Sequence, residues 1–220
     1  GRWIIVDPDG YEFISLGVNE IDPGSSKAEV EGRTAVYPTI EQWAEGTTNM
    51  LRGDFGFNTA GAWSDNTSLN GAENKLCTTK ILYILKSYMR TLGLESSTGG
   101  NTLFSNNNTI NVFDPEFEEF CRLMIKKELT YGENGLNLIG YMSDNELPSD
   151  LQLLDRYLTL DYTDKRNVYS YVTAWEWLYS YTGKKDASLS DITDTMREDF
   201  REFVYDRYFY LINSSIKAVS

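Results

Sequence analysis

The dipeptide Asn145-Glu146 follows an apolar run, Leu138-Ile-Gly-Tyr-Met142, and stands where acid–base chemistry would be best placed. A carboxyl group held just past the end of a strand can protonate a leaving oxygen and later take a proton from water. That is the work of one of the two carboxyls that cleave a glycosidic bond. An amide beside it can hydrogen-bond a sugar 2-hydroxyl, a contact that strengthens in the transition state. Alone the dipeptide is a weak signal. The preceding strand and the following Leu147-Pro148 make it informative. The competing reading has Glu146 capping a helix that begins near Ser149 and Asn145 holding a turn. Two further residues follow strand-like runs in the same way. Trp63 offers an aromatic face for the C–H side of a sugar ring, or else a lid over a core. Asn19 either faces a ligand or closes a turn. Asp65 and Asp144 read as structural acids that orient their neighbours, and Glu20 as solvated. Gly183-Lys-Lys185 is a surface turn without the Ser/Thr of a phosphate loop.

The elements that must position these groups alternate along the chain. Residues 3–6 and 11–18 are strand-like around the turn Asp7-Pro8-Asp9-Gly10, which predicts a hairpin. Thr39 and Gln42 form a capping box for a helix over 39–52. A short glycine-bounded strand follows within 54–61. Residues 79–93 fit a helical period, while the order of elements calls for a strand nearby. Residues 95–111 read as a long polar loop. Asp114-Pro115 starts a helix with Phe117, Phe120, Cys121, Met124, Ile125 and Leu129 inward, and Asn134-Gly135 ends that segment. A buried strand over 136–142 comes next. Three helices close the chain: one boxed by Ser149 and Gln152 with Leu151, Leu154, Tyr157 and Leu158 inward; one over 166–182 with Trp175 and Trp177; and one over 195–219 capped by Thr195 and Glu198. Short apolar strands alternating with helices imply an α/β protein with a parallel sheet. The polar motifs fall just after strand C-termini, the rim on which a (β/α)8 barrel builds its active site.

Composition narrows the chemistry. The chain of 220 residues has no histidine, which excludes Ser-His-Asp and Cys-His nucleophiles and most catalytic zinc sites. Asp, Glu, Tyr and Lys remain for proton transfer. The net charge of −13 argues against nucleic acid and anionic membranes. Aromatic residues make up 14% of the chain, a content that suits both packing and sugar binding. Cys77 and Cys121 lack metal spacing, and Cys121 is expected as a buried thiol. No cofactor or metal is expected. There is no apolar run of about 18 residues for a membrane span and no signal peptide. Because the chain opens at Gly1, it is expected to be a processed or excised piece.

Four ordered motifs then point to a family. Gly1-Arg-Trp-Ile-Ile-Val-Asp-Pro-Asp-Gly10 with Phe13-Ile-Ser-Leu-Gly-Val-Asn19 resembles the opening of agarase-like glycoside hydrolases. Gly56-Phe-Asn-Thr-Ala-Gly-Ala-Trp-Ser-Asp65 is similar to their second-strand segment. Val112-Phe-Asp-Pro-Glu-Phe117 resembles the entry to their third helix, and Ile139-Gly-Tyr-Met-Ser-Asp-Asn-Glu-Leu-Pro148 their fourth-strand motif. The resemblance implies a retaining (β/α)8-barrel enzyme of which this chain is the N-terminal half, about four β/α units behind a hairpin. It implies Glu146 as general acid/base, Asn145, Asn19 and Trp63 as substrate-binding residues, and a nucleophilic Glu on a seventh strand beyond this chain. The implied partner is a β-linked polysaccharide or oligosaccharide, galactose-based in the best-known cases, degraded outside the cytoplasm or in the periplasm. A carbohydrate-binding barrel without catalysis, or an inactive truncated fragment, stays open as an alternative.

Overall fold

The computed structural model describes residues 3–92, 112–131, 137–145, 147 and 151–219. The chain divides into two compact units, Gly1–Ile81 with Glu133–Met142, and Leu82–Gly132 with Ser143–Ser220.

Among the described residues, the first unit holds every strand. β1 (Ile5–Val6) and β2 (Glu12–Phe13) form the antiparallel hairpin expected around Asp7–Gly10. The Asp7 carboxylate accepts from the Asp9 and Tyr11 amides at 3.0 and 2.8 Å, and Gly10 takes a φ of +89°. The predicted second arm, residues 11–18, divides. After β2 the backbone leaves the hairpin because the Asn58 side chain captures it, accepting from Leu16 N–H at 2.8 Å and donating to the Ile14 carbonyl at 2.9 Å. Residues Gly17–Val18 then become β3, the first strand of a parallel sheet. β4 (Thr59–Ala60), β5 (Cys77–Ile81) and β6 (Leu138–Met142) complete it in the order β3-β4-β5-β6. The β5/β6 register slips at Thr78/Thr79 through a bulge. β6 is half-buried rather than buried, since among the described residues it has a strand neighbour on one side only.

Two helices lie between β3 and β4. α1 (Lys27–Val36) was not anticipated, although Ser26 and Glu29 form a complete capping box for it. α2 (Ile40–Asn49) has the expected Thr39/Gln42 box and runs on into a π-helical turn over Met50–Asp54. α3 (Asn66–Leu69) is a single turn after β4, with the Asp65 side chain as its cap. The core of this unit is Ile21, Trp43, Ala44, Leu51, Ala60, Leu69 and Leu76. Each large side chain buried there contributes about 1.5–3 kcal/mol.

The second unit is helical. The ambiguous stretch 79–93 resolves as both elements in succession: β5 ends at Ile81 and α4 (Ile84–Thr91) starts three residues later. α5 (Pro115–Tyr131) begins as expected, with Asp114 accepting from Glu116 N–H at 2.8 Å and Phe117, Cys121 and Ile125 buried. α6 (Leu153–Leu158), α7 (Val168–Thr182) and α8 (Asp194–Lys217) follow, with α8 packed on α5 and α6, and α6 on α7. Helix starts differ from expectation in two places. Gln152 is itself the N-cap of α6, and Leu151, expected inward, is exposed. The cap of α8 is Thr193, accepting from Met196 N–H at 3.3 Å, in place of Thr195. The inward stripe of α8 is Met196, Phe200, Val204, Tyr208, Leu211 and Ile212, and Phe203 is exposed. Arg197 closes on Asp155 of α6 through two hydrogen bonds of 2.8 and 2.9 Å. The expected loop over 95–111, the Asn134-Gly135 stop and the Ser149 half of a capping box lie outside the described residues.

Four parallel strands in sequence order, with helices in the connections, are the first four β/α units of a (β/α)8 architecture behind a hairpin. The fold class is the α/β partial barrel that the element order implies.

Candidate functional site

β3 and β4 end level at Val18 and Ala60, opposite Thr78, while β5 and β6 run on to end opposite each other at Ile81 and Met142; the residues after strand C-termini are those with which such folds build their chemistry. The first two connections are tied to each other. Asn19 Oδ1 accepts from Ala62 N–H at 3.1 Å, Glu20 N–H donates to the Ala62 carbonyl at 2.8 Å, and Asp65 N–H donates to the Ile21 carbonyl at 2.9 Å. Ser64 Oγ accepts from Ile21 N–H at 3.2 Å. Position 61 must be glycine for this arrangement, because a Cβ there would come within 2.1 Å of Asn19 Oδ1. The Asn19 side-chain oxygen is therefore engaged in holding the two loops.

Trp63 is held on the second of these loops at φ +60°, and the residue is 47% exposed. A bulky residue in the left-handed region is a genuine outlier. Glu20, on the first loop, has φ +56° and is also exposed. Both line an open cleft of about 870 Å³ whose other walls include Asp22, Arg33, Tyr37 and Trp43. Asp65 caps α3, accepting from Ser68 N–H at 3.1 Å and Ser68 Oγ at 2.6 Å. Its structural reading is the observed one.

After β6 the chain enters the helical unit at Ser143. The Ser143 carbonyl accepts from Ile84 N–H at 3.2 Å, and Asp144 Oδ2 accepts from Leu85 N–H at 2.9 Å and from the Tyr208 hydroxyl at 2.6 Å. Asp144 thus caps α4 from a distant part of the chain. The residue at the N-cap position, Tyr83, makes no side-chain cap and sits at φ +53°. Burial raises the Asp144 carboxyl above its ordinary range, while the Leu85 and Tyr208 hydrogen bonds pull it back. Burial also raises the Tyr208 hydroxyl, and it pushes the Cys121 thiol up to about 12, with the nearby Asp144 charge adding to it. Cys121 is the buried free thiol expected. Asn145 comes next and is half-buried. Glu146 lies outside the described residues.

Of the four expected site residues, Asn19 and Trp63 are brought together on adjoining loops, and Asn145 belongs to the helical unit. Arg33 and Tyr37 of the cleft were not anticipated. The Ser26/Glu29 box could have revealed the helix that brings Arg33 there, but nothing local marks the cleft itself. Among the described residues no group of three or more Cys, Asp or Glu stands close enough to hold a metal ion, and no helix is long and apolar enough to cross a membrane.

No family model and no curated protein matches the chain. Among solved structures it is similar to the crystal structure of BpGH50, a glycoside hydrolase family 50 protein, with 21% identity and a TM-score of 0.75. The match covers 99% of this chain and 47% of that one, so the chain spans about half the length of its structural neighbour. The fold of this chain is glycoside hydrolase-like.

Proposed function

We propose that this chain is the N-terminal half of a retaining, agarase-like glycoside hydrolase acting on a β-linked, galactose-based polysaccharide or oligosaccharide. The observation that supports the reading is the likeness to a family 50 glycoside hydrolase over 99% of the chain, and in sequence the Asn145-Glu146 dipeptide follows the fourth parallel strand, which ends at Met142. The sequence motifs point the same way.

In this reading Glu146 is the general acid/base. A second carboxylate, from the half of the barrel that this chain does not include and about 5–5.5 Å from the Glu146 carboxyl, attacks the anomeric carbon. The bond to the leaving oxygen breaks as Glu146 gives that oxygen its proton. Water then enters, Glu146 takes a proton from it, and the new C–O bond releases the sugar from the nucleophile with the original configuration. Asn145 holds the 2-hydroxyl during both steps, Trp63 stacks on a sugar face, and Asn19 binds through the part of its amide not committed to Ala62. The approach of a second carboxylate would raise the Glu146 pKa, as an acid catalyst requires.

The test is Glu146→Gln in the whole protein that carries this chain. On substrates with unactivated leaving groups, kcat should fall about 100-fold or more, the typical weight of general acid catalysis, while sugar binding stays. Turnover close to wild type would remove Glu146 from the mechanism.

A further inference from the structure

We propose that the cleft walled by α1 and the two strand-end loops is a subsite for one neutral pyranose unit, with Trp63 as its stacking platform and Arg33 and Glu20 as its hydroxyl partners. This rests on the carbohydrate reading above, but it concerns binding and does not depend on Glu146.

The cleft, at about 870 Å³, is within the size range of small-ligand sites. Two side chains that line it, Glu20 and Trp63, stand on left-handed backbone on separate loops. Such a conformation is costly and persists where the surroundings over-determine it. Here the hydrogen bonds from Glu20 N–H to Ala62 and from Asp65 N–H to Ile21 do so. The strain keeps a large indole half in solvent beside a concave surface, although packing would favour burying it.

Arg33 supplies the second, independent observation. Its Nε and Nη1 are buried without a hydrogen-bond partner among the described residues. Buried donors left without an acceptor carry an uncompensated desolvation penalty. The guanidinium gains acceptors by turning into the cleft that it lines, where a sugar hydroxyl or ring oxygen would meet it.

The acids select the ligand. Asp22 accepts from Gly24 N–H at 2.8 Å, and Glu29 from the Ser25 and Ser26 amides at 3.2 and 2.9 Å, so both hold their own loop. The exposed Glu20 is the acid placed to accept from hydroxyls. With three carboxylates and one guanidinium lining the cleft, a phosphate or sulfate would meet net repulsion, whereas an uncharged ring with hydroxyls on its edge and C–H groups on its face satisfies indole, guanidinium and carboxylate together.

Titration calorimetry on the Glu146→Gln form of the whole protein tests this, with agarose-derived, cellulose-derived and mannan-derived hexasaccharides and a sulfated galactan hexasaccharide as probes. At least one neutral hexasaccharide should bind better than the sulfated one. Its affinity should fall about tenfold or more with Trp63→Ala or Arg33→Met, the scale of a lost stacking contact or charged hydrogen bond, and stay within about threefold with Trp63→Phe. Preference for the sulfated probe, no binding by any probe, or equal affinity in folded Trp63→Ala and Arg33→Met proteins would overturn the subsite. A Trp63→Ala protein that melts early is replaced by the reading from Trp63→Phe and Arg33→Met. Loss of the hydrolase reading is recognised separately, by undiminished turnover of Glu146→Gln.

Discussion

Asp144 Oδ2 ties the first turn of α4 to Tyr208 of α8, directly beside Asn145. The notion of a structural acid at this position is thus given a specific content: a helix cap supplied from 59 residues away. Burial raises the Asp144 carboxyl, so the folded chain holds that proton more tightly than the unfolded chain does. The proton-linked contribution is therefore fully favourable below the unfolded value, about pH 4, and it is lost as pH rises through the higher folded value. Asp144→Asn keeps an acceptor oxygen and removes the titration. In denaturant melts, the stability of wild type relative to Asp144→Asn should shift in favour of wild type between pH 7 and pH 4. A pH-independent difference would mean that this carboxyl titrates normally. None of this was visible locally, because both partners of Asp144 come from remote segments. The roles proposed for Glu146 as acid and for Asn145 as sugar-binding amide rest in the sequence on a motif after a strand.

Helix starts show where sequence signals suffice and where they slip. The Thr39/Gln42 box and the Asp114-Pro115 start were legible because both signals are local and complete within four residues. The start of α8 slipped by two residues, since Thr193 and Thr195 both precede an acid-rich apolar stripe, and only the backbone angles at Thr193, φ −109° and ψ 164°, decide between them. Thr193→Ala should cost about 1 kcal/mol of stability, the usual weight of an N-cap, whereas Thr195→Ala, inside the first turn, should cost nothing or gain a few tenths of a kcal/mol, because Ala is the better helix former. Equal losses by calorimetric melting would contradict the assigned cap. β3 was illegible as a separate strand because its departure from the hairpin depends on Asn58, some forty residues on. The α5 stripe of Phe117, Cys121 and Ile125 was readable because helical spacing alone determines which side of the helix is buried.

At the scale of the molecule, the sheet has β3 and β6 as outer strands, each with one side unpaired among the described residues. Closing a barrel abolishes such edges. The hairpin region adds exposed Trp3, Ile4, Tyr11, Ile14 and Leu16. Apolar surface of this extent marks a face that another segment covers or that associates. Expressed alone, the 220 residues should bind an environment-sensitive apolar dye in native buffer and form concentration-dependent oligomers in sedimentation. A monomer without dye uptake would show that these edges are self-protected. The cap on α4 has a further consequence, in time rather than space. During synthesis the first turn of α4 leaves the ribosome well before Asp144 does, and its early amides have only water to serve them. Helix α4 should therefore settle late, once the strand that leads into Asp144 has been translated, so a nascent chain stalled near residue 130 should leave that helix open to proteases.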